Sequence, residues 1–428
     1  MEKNVLKEII VEQQNGLARV NKTVPREVLP LVLTYVPISH AVIIAGIRRA
    51  GKSVLLQQIM PHIDGGYYYF NFEDERLVNF TVADFNSLYE VFVELYGPRK
   101  TFFFDEIQNV PGWERFVRRM QDSGHKFFIT GSNATLLSRE LGTKLTGRYV
   151  SVELYPFSFG EYLAFHDVAV AKGDVLKTPR RAMIKQLFNR FFTEGGMPEY
   201  VTSVTNEALS KVYESILYRD IITRYELKDE RPMRELCLYL FSNIGALFSY
   251  SNLKNILGLG SVNTIKSYLR YLENSFLFFG IRCYQPSVKK QIVTPKKIFC
   301  IDNAMARVAG FSFSENKGHF LENIVFLELQ RQGRDIFYYR THTGAEVDFI
   351  IRRGERVEQA LQVTWSLAGT SRDREVTAMV AALEELSLGQ GLILTDNEDE
   401  EIIVGNKKII VQPVFRWLLE NGVRGGLK

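Results

Sequence analysis

The chain has 428 residues, 46% of them hydrophobic and 24% charged, a soluble globular composition with length enough for two or three domains. No apolar run approaches the ~20 residues of a membrane-crossing helix, and Met1-Glu2-Lys3-Asn4 opens an amphipathic stretch without a signal-peptide core, so a cytoplasmic protein with no membrane partner is expected. A formal net charge of +4 is too dilute to prove nucleic-acid binding, and Cys237, Cys283 and Cys300 lack the spacing of a zinc site or disulfide framework, which leaves buried apolar thiols.

Residues 1–38 read as helix, with Val5, Ile9 and Ile10 apolar and Pro25 and Pro30 punctuating the approach to the first strand, a clasp on the core that begins there. The apolar strand Ala41-Val42-Ile43-Ile44-Ala45 then runs straight into Gly46-Ile47-Arg48-Arg49-Ala50-Gly51-Lys52-Ser53, which fits the phosphate-cradling pattern GxxxxGK[ST]. Glycine permits the tight loop, its amide N–H groups face the β-phosphate, and the helix from Lys52 adds its positive dipole end. Gly46, Arg48, Arg49, Ala50, Gly51, Lys52, Ser53 and Val54 are therefore the candidate nucleotide-binding residues, with ATP as ligand. Lys52 would neutralise β/γ oxygens and Ser53 would hold Mg²⁺. An ordinary glycine turn is the alternative, but strand, loop and the helical run after Ser53 agree.

Further strands are expected at 67–72, 101–104, 126–130 and 149–154, alternating with helices, the pattern of a parallel sheet covered on both faces. Thr101-Phe102-Phe103-Phe104 ends in Asp105-Glu106, two carboxylates at the carboxyl end of a strand, where open α/β sheets bind ligands. Asp105 would anchor Mg²⁺ through its water shell, and Glu106 would orient and deprotonate the attacking water. The helix 113–122 puts Trp113, Phe116, Val117 and Met120 on one face and Arg115, Arg118 and Arg119 toward solvent. The strand at 126–130 leads to Gly131-Ser132-Asn133, making Asn133 or Ser132 the γ-phosphate sensor candidate, with helix capping as an equal alternative. Arg148, after Gly147, is a candidate arginine finger reaching a neighbouring subunit, which implies a homo-oligomer; a structural salt bridge is the alternative.

These residues carry a resemblance. With Val24-Pro25-Arg26-Glu27, Tyr69-Phe70-Asn71-Phe72-Glu73-Asp74, Phe104-Asp105-Glu106-Ile107-Gln108, Thr130-Gly131-Ser132, Gly147-Arg148, Pro156-Phe157-Ser158-Phe159, Gly195-Gly196-Met197-Pro198 and Phe320-Leu321-Glu322-Asn323, the chain resembles the AAA+ superfamily ATPases of bacteria and archaea in which the ATPase core precedes a winged helix and a restriction-endonuclease-like domain of unknown function. The fold so implied is α/β: a P-loop NTPase parallel sheet with a helical lid, then a winged helix and a C-terminal α/β endonuclease-like domain. Domain limits are expected at 1–155 (ATPase core with its clasp), 156–230 (lid), 231–304 (winged helix) and 305–428 (endonuclease-like).

Residues 156–230 are helical without a credible strand and break at Gly195-Gly196-Met197-Pro198; the resemblance implies a lid closing over the nucleotide. From 231, a helix from Met233 to Phe248, a short helix at 251–257, a turn at 258–260 and a third helix capped by Ser261 read as a winged helix. In the third helix Val262, Ile265, Leu269 and Leu272 face inward, leaving Asn263, Lys266 and Arg270 together outside, followed by strand-like Phe276-Leu277-Phe278-Phe279 and a lysine-bearing wing at 289–297. That face suits double-stranded DNA, while a protein–protein spacer with lysines guarding an edge strand is an equal alternative.

At the C-terminus a helix beginning at Phe320-Leu321-Glu322-Asn323, the strand Ala345 to Ile351 with Asp348 inside it, and the strand Ala360 to Trp365 resemble the PD-(D/E)xK nuclease core. In that family an ExK strand helps to hold Mg²⁺ and its lysine stabilises phosphate charge. Here those positions read Gln362-Val363-Thr364, an amide for the carboxylate and no cation, so the domain is expected to be inactive as a nuclease and used for binding. The expected function is an ATP-binding and ATP-hydrolysing switch that couples nucleotide state to a DNA or protein partner. An ATP-gated nuclease and a nucleotide-controlled interaction scaffold without enzymatic activity are the alternatives.

Overall fold

The computed structural model describes residues 1–17, 23–137, 143, 145–171, 173–203, 205–311 and 316–422. The parts of the expected clasp and C-terminal domain at 18–22, 312–315 and 423–428 lie outside the described residues. The chain divides into two compact units, the first from Met1 to Tyr155 and the second from Pro156 onward.

In the first unit the elements run α1 (Lys3–Leu17), α2 (Leu29–Thr34), β1 (Ala41–Ala45), α3 (Lys52–Ile59), β2 (Tyr67–Asn71), α4 (Phe85–Tyr96), β3 (Thr101–Asp105), α5 (Trp113–Asp122), β4 (Lys126–Gly131) and β5 (Tyr149–Glu153). Each strand expected from the alternation of apolar runs forms, and all pair in parallel in the order β2-β3-β4-β1-β5. Because side chains alternate across a strand, Phe102 and Phe104 enter one core with α1, α4 and α5, while Phe103 enters the other with α2 and α3. Phe102 stacks on Phe127 and Phe103 on Phe128, at 4.8 and 4.9 Å between ring centroids, which fixes β3 against β4 on both faces. On α5, Trp113, Phe116, Val117 and Met120 are buried and Arg115, Arg118 and Arg119 exposed. The N-terminal clasp is specific as well as apolar. Leu6, Ile9 and Ile10 are buried, and the Gln13 amide accepts from Asn71 N at 2.8 Å and donates to Asn71 O at 3.0 Å.

The second unit opens with α6 (Phe159–Phe165), α7 (Thr178–Glu194), α8 (Pro198–Ser203) and α9 (Asn206–Ser215), prolonged by π-helical residues Ile216–Thr223. The Gly195-Gly196 break follows from a buried carboxylate. Gly195 adopts φ +66°, and a Cβ on it would meet both Asp302 carboxylate oxygens at 2.3 Å. Asp302 accepts from Gly196 N at 2.7 Å and caps the next helix through Ala304 N and Met305 N at 2.9 and 3.1 Å. Burial pushes its carboxyl up to about 6 despite these donors.

Next come α10 (Arg231–Ser242), β6 (Leu247–Phe248), α11 (Tyr250–Ile256), α12 (Val262–Asn274), β7 (Phe278–Cys283), α13 (Val288–Val293), β8 (Lys296–Cys300) and α14 (Asn303–Ala309). The helix expected to reach Phe248 stops at Ser242, because Gly245 (φ +75°) turns the chain into β6. Ser261 caps α12 by accepting from Asn263 N, with Ile265, Leu269 and Leu272 buried and Val262 half-buried. The wing is corrected in two respects: Lys289 and Lys290 lie on α13, not on a hairpin, and Lys297 is a buried residue of β8. The last elements are α15 (Lys317–Arg331), β9 (Asp335–Arg340), β10 (Glu346–Arg353), β11 (Arg356–Val363), α16 (Thr370–Glu385), β12 (Gln390–Thr395), β13 (Glu400–Val404), β14 (Lys407–Pro413) and α17 (Val414–Asn421). Strand β7 pairs in parallel with β9 through Arg282↔Phe337 and Cys283↔Tyr338, so the segments read from sequence as 231–304 and 305–428 share one nine-stranded sheet. Cys237, Cys283 and Cys300 are free and buried, and among the described residues no helix is long and apolar enough to cross a membrane.

Candidate nucleotide-binding and catalytic site

The P-loop leaves β1 beside the end of β4, where Ala45 is in register with Gly131, and Gly46 must be glycine because a Cβ would lie 2.1 Å from Leu154 O. Arg49 (φ +67°) and Gly51 (φ +93°) both take left-handed backbone, which turns the loop into α3. Arg26, from the segment before α2, is buried beneath this loop and donates to Ala50 O and Tyr155 O, both at 2.6 Å. That brace is a residue the motif alone does not disclose, since its target is a backbone carbonyl.

Lys52 is 4% exposed, and its ammonium donates to Gly46 O at 3.1 Å and Ile47 O at 3.2 Å and pairs with Glu106 Oε1 at 3.1 Å. The P-loop cation and the candidate base are thus brought together. Arg48 pairs with Glu73 Oε1 at 2.5 Å and Arg76 with Asp74 Oδ2 at 2.8 Å, so each of these carboxylates has an arginine partner, whereas Glu106 pairs with Lys52.

Asp105 is fully buried at the end of β3 and accepts from the Thr130 hydroxyl, from Tyr69 OH at 3.3 Å and from the Ser53 hydroxyl. Burial and then the neighbouring Glu106 charge push its carboxyl up. A serine hydroxyl bonded to a buried carboxylate at the phosphate loop is a hard-oxygen donor set, and it fits Mg²⁺. For Glu106, burial works in the opposite direction from its partners, but Lys52's charge and the Gln108 amide hold its carboxyl below the ordinary value. Glu106 sits at φ +54°, a conformation uncommon for a residue with a Cβ, which turns its side chain off the strand end toward Lys52. Thr130, quoted in the sequence only within a family motif and given no role there, links the two residues: its Oγ1 donates to the Asp105 carboxylate and accepts from the Glu106 backbone N at 3.0 Å. A threonine closing an otherwise apolar strand next in register to β3 is the signal that marks it.

Asn133 and Ser132 are both buried. Asn133 Oδ1 accepts from Thr135 N at 2.8 Å, which is the capping alternative, whereas Ser132 Oγ lies 3.5 Å from Gln108 Nε2 and so connects to Glu106. Arg148 precedes β5, and its carbonyl accepts from Ala41 N at the start of β1, the opposite end of the sheet from the P-loop. Its guanidinium pairs with Asp122 Oδ1 at 2.6 Å, and both side chains are about half exposed. Arg148 therefore lies at the end of the sheet away from this chain's own P-loop.

A separate cluster lies in the second unit. Lys297 Nζ is 2.7 Å from Glu322 Oε1, 2.7 Å from Asp348 Oδ1 and 2.9 Å from Glu346 Oε1, with its side chain 3% exposed. Burial and then Asp348's charge push the Glu322 carboxyl well up, while the three carboxylates hold Lys297 protonated against burial. Gln362 Oε1 accepts from Asp348 N at 3.1 Å, and Asp348 Oδ2 accepts from Val363 N at 2.8 Å. A cleft of about 400 Å³ opens here, lined by His319 and Thr364 among others. Gln362-Val363-Thr364 itself carries no cation, but Lys297 brings one to the same cluster from β8. The signal was present in the adjacent pair Lys296-Lys297, since neighbours in a strand point to opposite faces and one of the two must face inward. Among the described residues no group of three or more His, Cys, Asp and Glu is arranged to hold a metal ion. Asn263, Lys266 and Arg270 are exposed together on α12, and Lys266 and Lys296 approach the Tyr250 ring at 5.6 and 5.5 Å.

A five-stranded parallel sheet with a phosphate loop after its first strand and a carboxylate pair ending the third is the core of a P-loop NTPase. Residues 39–163 match the family described as AAA domain, and 185–315 and 317–414 match two domains of unknown function, DUF8612 and DUF4143. An uncharacterized protein of Methanocaldococcus jannaschii is 33% identical over 98% of this chain and 96% of its own length. An uncharacterized protein of Haemophilus influenzae is 34% identical over 74% of this chain and 80% of its own. The chain belongs to the family of that archaeal protein. Among solved structures, the Thermotoga maritima RuvB Holliday junction branch migration motor is similar at 15% identity and a TM-score of 0.30, over 60% of this chain and 89% of that one; a likeness at this level carries no weight for function.

Proposed function

We propose that the protein hydrolyses ATP to ADP and phosphate and uses the cycle to control a partner held by its second unit. The observation that carries this reading is the approach of Glu106 Oε1 to Lys52 Nζ at 3.1 Å beside an Asp105 carboxylate bonded to Ser53. Lys52 would leave its loop carbonyls for the β/γ-phosphate oxygens, and Glu106, a carboxylate at neutral pH, would take a proton from the water that attacks the γ-phosphorus. Ser53 and Asp105 would hold Mg²⁺, which when bound supplies charge neutralisation on the phosphates. Since Arg148 lies at the far end of its own sheet, it would act only on a second subunit's nucleotide, in a homo-oligomer.

For the partner we favour double-stranded DNA, because Asn263, Lys266 and Arg270 form an exposed donor face on a helix of the winged-helix order. The endonuclease-like part serves binding and not cleavage: Gln362 spends its amide oxygen on Asp348 N, and Lys297 spends its donors on three carboxylates. The test is steady-state ATP turnover of the wild-type chain, Lys52→Ala and Glu106→Gln, with and without duplex DNA. Turnover lost in both variants and altered by duplex in the wild type supports the reading. Wild-type turnover indifferent to duplex would move the partner to the protein class.

A further inference from the structure

The turn after the catalytic carboxylates holds a side chain with no role in phosphate or metal binding. Gln108, half-buried in the turn Ile107–Asn109, donates from Nε2 to Glu106 Oε2 at 2.5 Å and lies 3.5 Å from Ser132 Oγ at the end of β4. A carboxylate only accepts, so the amide nitrogen must face Glu106 and the amide oxygen must face away. That oxygen is buried without a hydrogen-bond partner, against Gly131, where a Cβ would lie only 2.3 Å from it. Gly131 is therefore needed to admit the amide, and the fold tolerates an orphaned acceptor and a left-handed Glu106 side by side to keep this contact.

We infer that Gln108 is the positioning residue for Glu106: it keeps the base aimed while Lys52 exchanges the Glu106 carboxylate for ATP phosphates, and it ties that aim to Ser132. The two oxygens of Glu106 are held by different hands, Oε1 by Lys52 and Oε2 by Gln108. Phosphate binding removes only the first. With Gln108 gone, nothing from the turn would restrain the rotation of Glu106 in the nucleotide-bound state, and a misplaced base lowers the rate of the chemical step without weakening nucleotide binding.

This inference rests on the ATPase reading, and the experiment separates the two. Gln108→Met keeps the volume and loses the donor, while Gln108→Glu keeps the shape and sets a carboxylate against Glu106. Both are compared with wild type for thermal stability, for affinity toward a non-hydrolysable ATP analogue and for kcat. The expected result is a kcat lower by roughly 10- to 100-fold in Gln108→Met, the worth of one hydrogen bond to a charged group, a larger fall in Gln108→Glu, and analogue affinity unchanged in both. Adding Gln108→Met to Glu106→Gln should cost nothing further, because a residue that acts through the base has nothing left to position. Wild-type kcat in Gln108→Met, a fall in analogue affinity matching the fall in rate, or full additivity in the double variant would each overturn the inference. Absence of turnover in the wild type would instead bring down the ATPase reading, and this inference with it.

Discussion

Replacing Lys297 by methionine removes the cation shared by the buried Glu322 and Asp348 and the half-buried Glu346, which keeps Arg340 at 3.7 Å, and leaves the shape of the stem. At an effective dielectric of ~20, an ion contact at the observed 2.7 Å is worth about 6 kcal/mol of attraction. Most of that is cancelled by repulsion among Glu322, Glu346 and Asp348 and by desolvation, so the expected loss is about 3–5 kcal/mol, the usual cost of orphaning a buried charge. At about 2–4 °C per kcal/mol for domains of this size, the melting temperature of the second unit falls by ~6–20 °C at neutral pH. The sign of the pH dependence follows from Glu322, whose carboxyl is already pushed above the usual range by burial and Asp348. A raised carboxyl favours the folded state at low pH and loses that advantage as pH rises through its folded value. Without Lys297 the carboxyl rises further, so the penalty should grow between pH 5 and pH 8. Differential scanning calorimetry of the full chain at both pH values measures it. A melting temperature within a degree or two of wild type, or a penalty independent of pH, would refute the reasoning that Lys297 is the charge balance of this cluster.

Lys266→Ala combined with Arg270→Ala should weaken duplex binding and flatten the slope of log K against log salt by about 1.8, the signature of two lost phosphate contacts, read by fluorescence anisotropy across a salt series. Affinity that is unchanged, or that ignores salt, would point to a protein partner. Arg148→Ala should leave ATP affinity intact and lower the rate, and turnover of the wild type should rise with subunit concentration. Mixing Arg148→Ala with Glu106→Gln should recover part of the activity, because one mixed interface then holds an intact Glu106 and an intact Arg148; no recovery in a sample that remains monomeric would leave Arg148 as the partner of Asp122.

The P-loop unit was legible because its signals are local. An apolar run flowing into Gly46 to Ser53, and a second ending in Asp105-Glu106, specify strand, loop and chemistry within a few residues each, and the alternation of Phe102, Phe103 and Phe104 already implies a sheet with two covered faces. What escaped is what the topology assembles from a distance. Thr130 meets Asp105 only because β4 lies beside β3, and Arg26 reaches a backbone carbonyl of the loop from 24 residues upstream. Lys297 reads as part of an exposed wing because its neighbours Lys289, Lys290 and Lys296 share its charge, and only the strand's alternation of faces separates it from Lys296. The sheet continues across the expected limit at 304 for a similar reason: the pairing of Cys283 with Tyr338 joins segments whose local patterns look independent.

The measurement that bears most directly on the account is phosphate release from ATP by the wild-type chain and by Glu106→Gln, with nucleotide binding followed in parallel and Lys52→Ala as the binding-deficient reference. The account predicts that the wild type turns over, that Glu106→Gln binds ATP normally but hydrolyses it ~10²–10⁴-fold more slowly, and that Lys52→Ala loses binding. Hydrolysis by Glu106→Gln at the wild-type rate would contradict it, since the carboxylate held against Lys52 would then not be the base.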